Sequence, residues 1–97
     1  MNDVQRTYEQ MLIEKLSEGS VDAYKEVFYK YYYPLCEYAS QYLSDVDSED
    51  LVQEFMIMLW EHPETLYYAH SVKSYLFASI KNRCLNVIEK ENSRQRK

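Results

Sequence analysis

Asp50 and Glu54 stand four residues apart in a run of helical spacing, which sets two carboxylates on one side of a helix and raises acid–base chemistry as a first possibility. At the start of a helix, however, such acids complement the positive end of the macrodipole or meet a basic partner. His62 and His70 are eight residues apart with Pro63 between them, not the spacing of a helical metal pair. The sequence has no glycine-rich phosphate loop and no nucleophile elbow. Cys36 and Cys84 are distant from each other and lack the close pairing of zinc ligands, so they read as reduced core thiols. The reading is therefore a protein that is not an enzyme, with no catalytic residue, metal or cofactor.

What remains is recognition chemistry. Asp47–Trp60 carries a charged face and an apolar ridge on one short helix. Asp47 is the expected N-cap, and Leu51, Val52, Phe55, Met58 and Leu59 recur at three- and four-residue steps as the core stripe. Met56, Ile57 and Trp60 widen that stripe. Two readings follow: a docking surface for another protein, formed with Asp50, Gln53 and Glu54 beside Ile57, or a central helix buried almost all round. Further along, Tyr67, Tyr68 and His70 lie in a stretch without periodicity, and Lys73, Lys81, Asn82, Arg83, Asn86 and Lys90 lie off the apolar face of the last helix. Cations hold phosphates, amides reach base edges, and aromatic rings stack on splayed bases.

Charge segregation agrees with this division. The total is −5, but residues 1–64 hold fourteen acids against four basic residues (−10), whereas residues 65–97 hold seven basic residues against two acids (+5). A polyanion is repelled by the first part and attracted to the second. A basic tail that only aids solubility is the simpler alternative.

These residues need a scaffold. The 97 residues allow one domain with a modest core, and a single glycine and two prolines leave too little turn chemistry for a sheet of hairpins. The fold class is all-α, a compact bundle of about four helices. The first helix spans residues 3–18, with Val4, Tyr8, Met11, Leu12 and Leu16 on its apolar face, and ends at Gly19. Ser20 caps a second pattern through Tyr24, Val27, Phe28, Tyr31, Leu35, Tyr38, Ala39, Tyr42 and Leu43. Pro34 predicts a kink near residues 30–33 or two shorter helices. Ser44 to Val46 form a tight connection. Residues 61–70 form a loop, and Ser71 caps a last helix whose apolar set is Val72, Tyr75, Leu76, Ile80, Cys84, Val87 and Ile88. From Glu91 the chain reads as a frayed end or linker. The expected units are residues 1–19, an N-terminal helix; 20–90, the helical domain; and 91–97, the tail. No apolar run is long enough to span a bilayer and no secretory signal is present, so the expectation is a cytoplasmic protein without membrane contact.

Three blocks in order carry a family resemblance: Phe28, Tyr31, Tyr32, Pro34 and Leu35; then Asp47, Glu49, Asp50, Leu51, Val52, Gln53, Glu54 and Trp60; then Ser71, Lys73, Tyr75, Leu76, Ile80, Asn82 and Asn86. Together they resemble region 2 of bacterial extracytoplasmic-function sigma factors, over about residues 20–90. The resemblance implies a helical domain whose second block grips the clamp helices of the RNA polymerase β′ subunit. It also implies that the loop and last helix melt the promoter −10 element and read its non-template single strand, holding an extruded base. On that basis Asp50, Gln53, Glu54 and Ile57 are assigned to polymerase, and Tyr67, Tyr68, His70, Lys73, Lys81, Asn82, Arg83 and Asn86 to DNA. An anti-sigma factor is a further implied partner. Glu89 and Glu91 depart from the arginine-rich end frequent in the family, and Tyr75 stands where tryptophan is frequent. No segment corresponds to the −35-reading helix-turn-helix, so the 97 residues look like an N-terminal domain ending at a linker. An acidic protein-interaction module without DNA binding is the rival reading.

Overall fold

The structure is a computed structural model that describes the backbone of residues 2–95 and the side chains of residues 8–95. The order is α1 (Asn2–Ser17), α2 (Val21–Ala39), α3 (Asp45–Glu61), a 3-10 turn (Pro63–Leu66) and α4 (Val72–Gln95). Among the described residues there is no strand. The Val4 side chain and residues 96–97 lie outside the described set.

Local chemistry sets the junctions. Gly19 adopts φ +83°, and the Ser20 and Gly19 amides donate to the Lys15 and Leu16 carbonyls at 2.9 and 3.0 Å, the paired bonds of a Schellman end. Ser20 then caps α2, its Oγ accepting from the Ala23 amide at 3.2 Å. At α3 the cap is Ser44, not Asp47: the Ser44 Oγ accepts from the Asp47 amide at 3.2 Å, so the helix starts three residues earlier than a cap at Asp47 would have it. Asp45 and Asp47 still stand in the first turn, beside the positive helix end. Ser71 caps α4 through the Ser74 amide at 3.1 Å.

Pro34 does not split α2, which runs as one helix from Val21 to Ala39. The proline is exposed, so the Lys30 carbonyl that loses its partner faces water rather than the core. The core gathers Leu12, Ile13 and Leu16 of α1, Val27, Leu35 and Ala39 of α2, Val52, Phe55, Met56 and Leu59 of α3, and Leu76, Ile80 and Cys84 of α4. Met11 and Tyr8 are exposed, and Ile13 takes the inward position. Met56 is buried as well and leaves the docking face. Val87 is exposed and Ile88 half-buried, because α4 continues past Cys84 beyond the reach of the other helices, and it extends to Gln95 rather than ending near Lys90. Burial pushes both the Cys84 and the Cys36 thiols above the ordinary range, which keeps them protonated at neutral pH.

Candidate docking and nucleic-acid surfaces

With Ser48, Val52, Phe55, Met56 and Leu59 turned inward, the opposite side of α3 is left to solvent. Val46, Asp50, Gln53, Ile57 and Trp60 follow one another at steps of four, three, four and three, the spacing of a coiled-coil seam, and all are exposed. Glu54 and Glu61 flank that seam. Asp50, Gln53, Glu54 and Ile57 therefore share one accessible face, with Ile57 at 56% and Trp60 at 42% exposure. Neighbouring α2 steadies the seam. Gln53 donates to the Tyr32 hydroxyl at 3.0 Å, and Trp60 meets Tyr24 edge-on at 5.0 Å between ring centroids. The Tyr24 hydroxyl in turn donates to the Met56 carbonyl at 2.8 Å. Ile57 and Trp60 open onto an apolar groove whose other wall is Val21, Tyr24, Phe28 and Tyr29. Val46 and that α2 wall are absent from the sequence-based site. The four-three spacing was present in the sequence and points to Val46, but nothing local points to the wall.

Residues 62–71 are not a plain loop. The Pro63–Leu66 turn is closed by the Thr65 amide and hydroxyl on the His62 carbonyl, and Leu66 is fully buried. Between that anchor and Ser71 the chain raises Tyr67 and Tyr68, which are 61% and 88% exposed and meet edge-on at 4.9 Å. His70 is exposed beside them. Exposed aromatic rings held by a buried residue one position away are pre-positioned for stacking.

The α4 residues divide more finely than their sequence suggests. Lys73, Lys81, Asn82 and Asn86 are exposed. Residues two apart on a helix point about 200° from each other, so Lys81 and Arg83 lie on opposite flanks. Phe77 packs edge-on against Tyr38 of α2 at 5.2 Å, which orients the Lys73 and Lys81 flank toward α2. Tyr75 and Arg83 both meet Phe55 of α3, with the Arg83 Cζ 5.2 Å from the ring centroid. Arg83 is half-buried, its guanidinium shared between an aromatic face and solvent. The structure thus leaves the tyrosine tip, His70 and the amide-bearing face of α4 all open to solvent, but it does not bring the three cations to one face of the helix.

This order of helices, and the blocks that form α2, α3 and α4, coincide with a family pattern: Sigma-70 region 2 matches residues 27–94, which is 68 of the 97 residues. The chain belongs to the sigma-70 region 2 family. No curated protein and no solved structure matches it. A region 2 domain is a non-enzymatic transcription-factor module that binds RNA polymerase and recognises the promoter −10 element. The matched segment begins inside α2, so α1 precedes it. Among the described residues no group of His, Cys, Asp and Glu could hold a metal ion, and no helix is long and apolar enough to cross a membrane.

Proposed function

We propose that this region 2 domain is of the extracytoplasmic-function type and divides its work between α3 and the loop–α4 unit. The seam of α3 grips the clamp helices of the polymerase β′ subunit: Ile57 supplies apolar contact, and Asp50, Gln53 and Glu54 supply acidic and amide groups to a basic coiled coil. The loop and α4 then take the non-template strand of the −10 element. Tyr67, Tyr68 and His70 flank an extruded base, Asn82 and Asn86 contact bases or sugar edges, and Lys73, Lys81 and Arg83 hold phosphates. An anti-sigma factor covering the α3 seam would keep the domain off polymerase. The cytoplasm is where such a factor acts.

The observation that carries the docking half is the exposed four-three seam on α3, since a seam of that spacing packs against coiled helices and among the described residues no other element buries it. Docking comes first in this scheme. The domain carries a net charge of −5, so polymerase supplies the proximity that its own electrostatics do not. Replacing Gln53 and Glu54 together by Ala tests the assignment. Both side chains are exposed, so helicity by far-UV circular dichroism stays as in the wild type, while affinity for a β′ clamp fragment falls on the order of tenfold. Normal binding by the double variant would place the interface elsewhere and favour an interaction module of another kind.

A further inference from the structure

The amide of Val72 is the first of α4 and lies one residue beyond the Ser71 cap. Such an amide has no partner inside its own helix. Here it donates to a carboxylate from the other end of the chain: Glu9 Oε1 of α1 accepts at 2.6 Å, across 63 residues of sequence. The helix therefore has two caps of different origin, Ser71 acting on Ser74 from within and Glu9 acting on Val72 from α1. A carboxylate at this place also complements the positive helix end. Glu9 is half-buried and Val72 is buried, so water competes poorly for the bond.

The same helix holds the other side of the loop. α1 packs against the Pro63–Leu66 turn, with Leu12, Ile13 and Leu16 buried on α1 and Leu66 fully buried on the turn. Residues 67–71 thus run between two points fixed to α1, the buried Leu66 and the bonded Val72, with Ala69 between them packed against the core and its amide donating to the Leu66 carbonyl at 3.0 Å. Tyr67 and Tyr68 make no hydrogen bond of their own among the described residues beyond the Tyr67 amide on Glu64 and rely on these anchors for their position. α1 lies before the segment that the family pattern matches.

We infer that Glu9 is a positioning residue for base reading: by bonding the Val72 amide it sets the angle between the tyrosine tip and the amide face of α4. The inference rests on the assignment of base reading to the loop and α4. Without the bond, the loop keeps its Leu66 anchor but gains freedom at its α4 end. Discrimination between bases then falls, because a ring that samples several positions stacks on any of them. Phosphate contacts, which depend on the α4 cations, are unaffected.

Glu9→Ala and Glu9→Gln test this, each in the whole chain. By amide hydrogen exchange, Glu9→Ala should lower protection at Val72 about tenfold, with protection at Phe55 in α3 unchanged. Glu9→Gln keeps an acceptor oxygen and should restore most of it. On polymerase, Glu9→Ala should reduce the affinity ratio between a preferred −10 oligonucleotide and its single-base variants about threefold or more, leaving the salt slope as in the wild type. Glu9→Gln should restore the ratio. Unchanged Val72 protection in Glu9→Ala would overturn the inference at the bond itself, and lost protection with unchanged discrimination would overturn it at its consequence. A Tyr67→Ala, Tyr68→Ala double variant separates the two levels: if it too leaves discrimination unchanged, the base-reading assignment fails and the inference falls with it.

Discussion

Lys81→Ala and Arg83→Ala would be near equivalents if both residues only held phosphates, and the structure predicts that they differ. Lys81 is exposed and makes no ion pair among the described residues, so its truncation removes a charge and little else. A single-strand phosphate contact contributes a salt slope of about 0.7, so over a fourfold rise from about 50 to 200 mM salt the wild-type advantage over Lys81→Ala should shrink about 2.6-fold. Its melting temperature should stay within a few degrees. Arg83 is half-buried, with its Cζ 5.2 Å from the centroid of Phe55 on α3. Losing that cation–π contact costs about 0.5–2 kcal/mol, and in a domain of this size each kcal/mol moves the melting temperature by about 4–8 °C. Arg83→Ala should therefore melt several degrees lower as well as binding more weakly. The assay is oligonucleotide anisotropy across a salt series with the domain on polymerase, paired with thermal melts of the chain alone. A wild-type slope in Lys81→Ala would remove it from the phosphate set. An unchanged melting temperature in Arg83→Ala would show that the guanidinium leans on solvent and not on Phe55.

Two further predictions concern the scaffold. Phe55→Ala removes a fully buried ring in contact with Tyr75 and Arg83 and should cost about 3–5 kcal/mol, a large part of the stability of so small a domain; a melt unchanged from the wild type would refute its central place. Gly19→Ala meets no atom within 4 Å, so its cost is the backbone alone at φ +83°, about 1–2 kcal/mol by denaturant titration, and a neutral result would show that the α1–α2 joint relaxes to another conformation.

Wherever a few neighbouring residues decide the outcome, the amino-acid sequence suffices. Gly19 and Ser20 end one helix and start the next because a left-handed residue and a hydroxyl cap act over one turn, and Ser71 starts α4 for the same reason. Helical spacing likewise put Asp50, Gln53, Glu54 and Ile57 on a common exposed face, and the three ordered blocks pointed to the family. Contacts between distant segments are another matter, since nothing local encodes them. Periodicity shows that α3 has two apolar flanks but not which one meets α2 and α4, so only packing decided that Met56 turns inward while Ile57 and Trp60 stay out. Pro34 is tolerated because its side of α2 faces water, a fact about the bundle and not about the proline. Residues 61–70 lack periodicity because their order comes from one buried leucine and the surface of α1 that receives it. The cation–π contact of Arg83 and the bond from Glu9 to Val72 depend on the same assembly, which joins groups 28 and 63 residues apart along the chain.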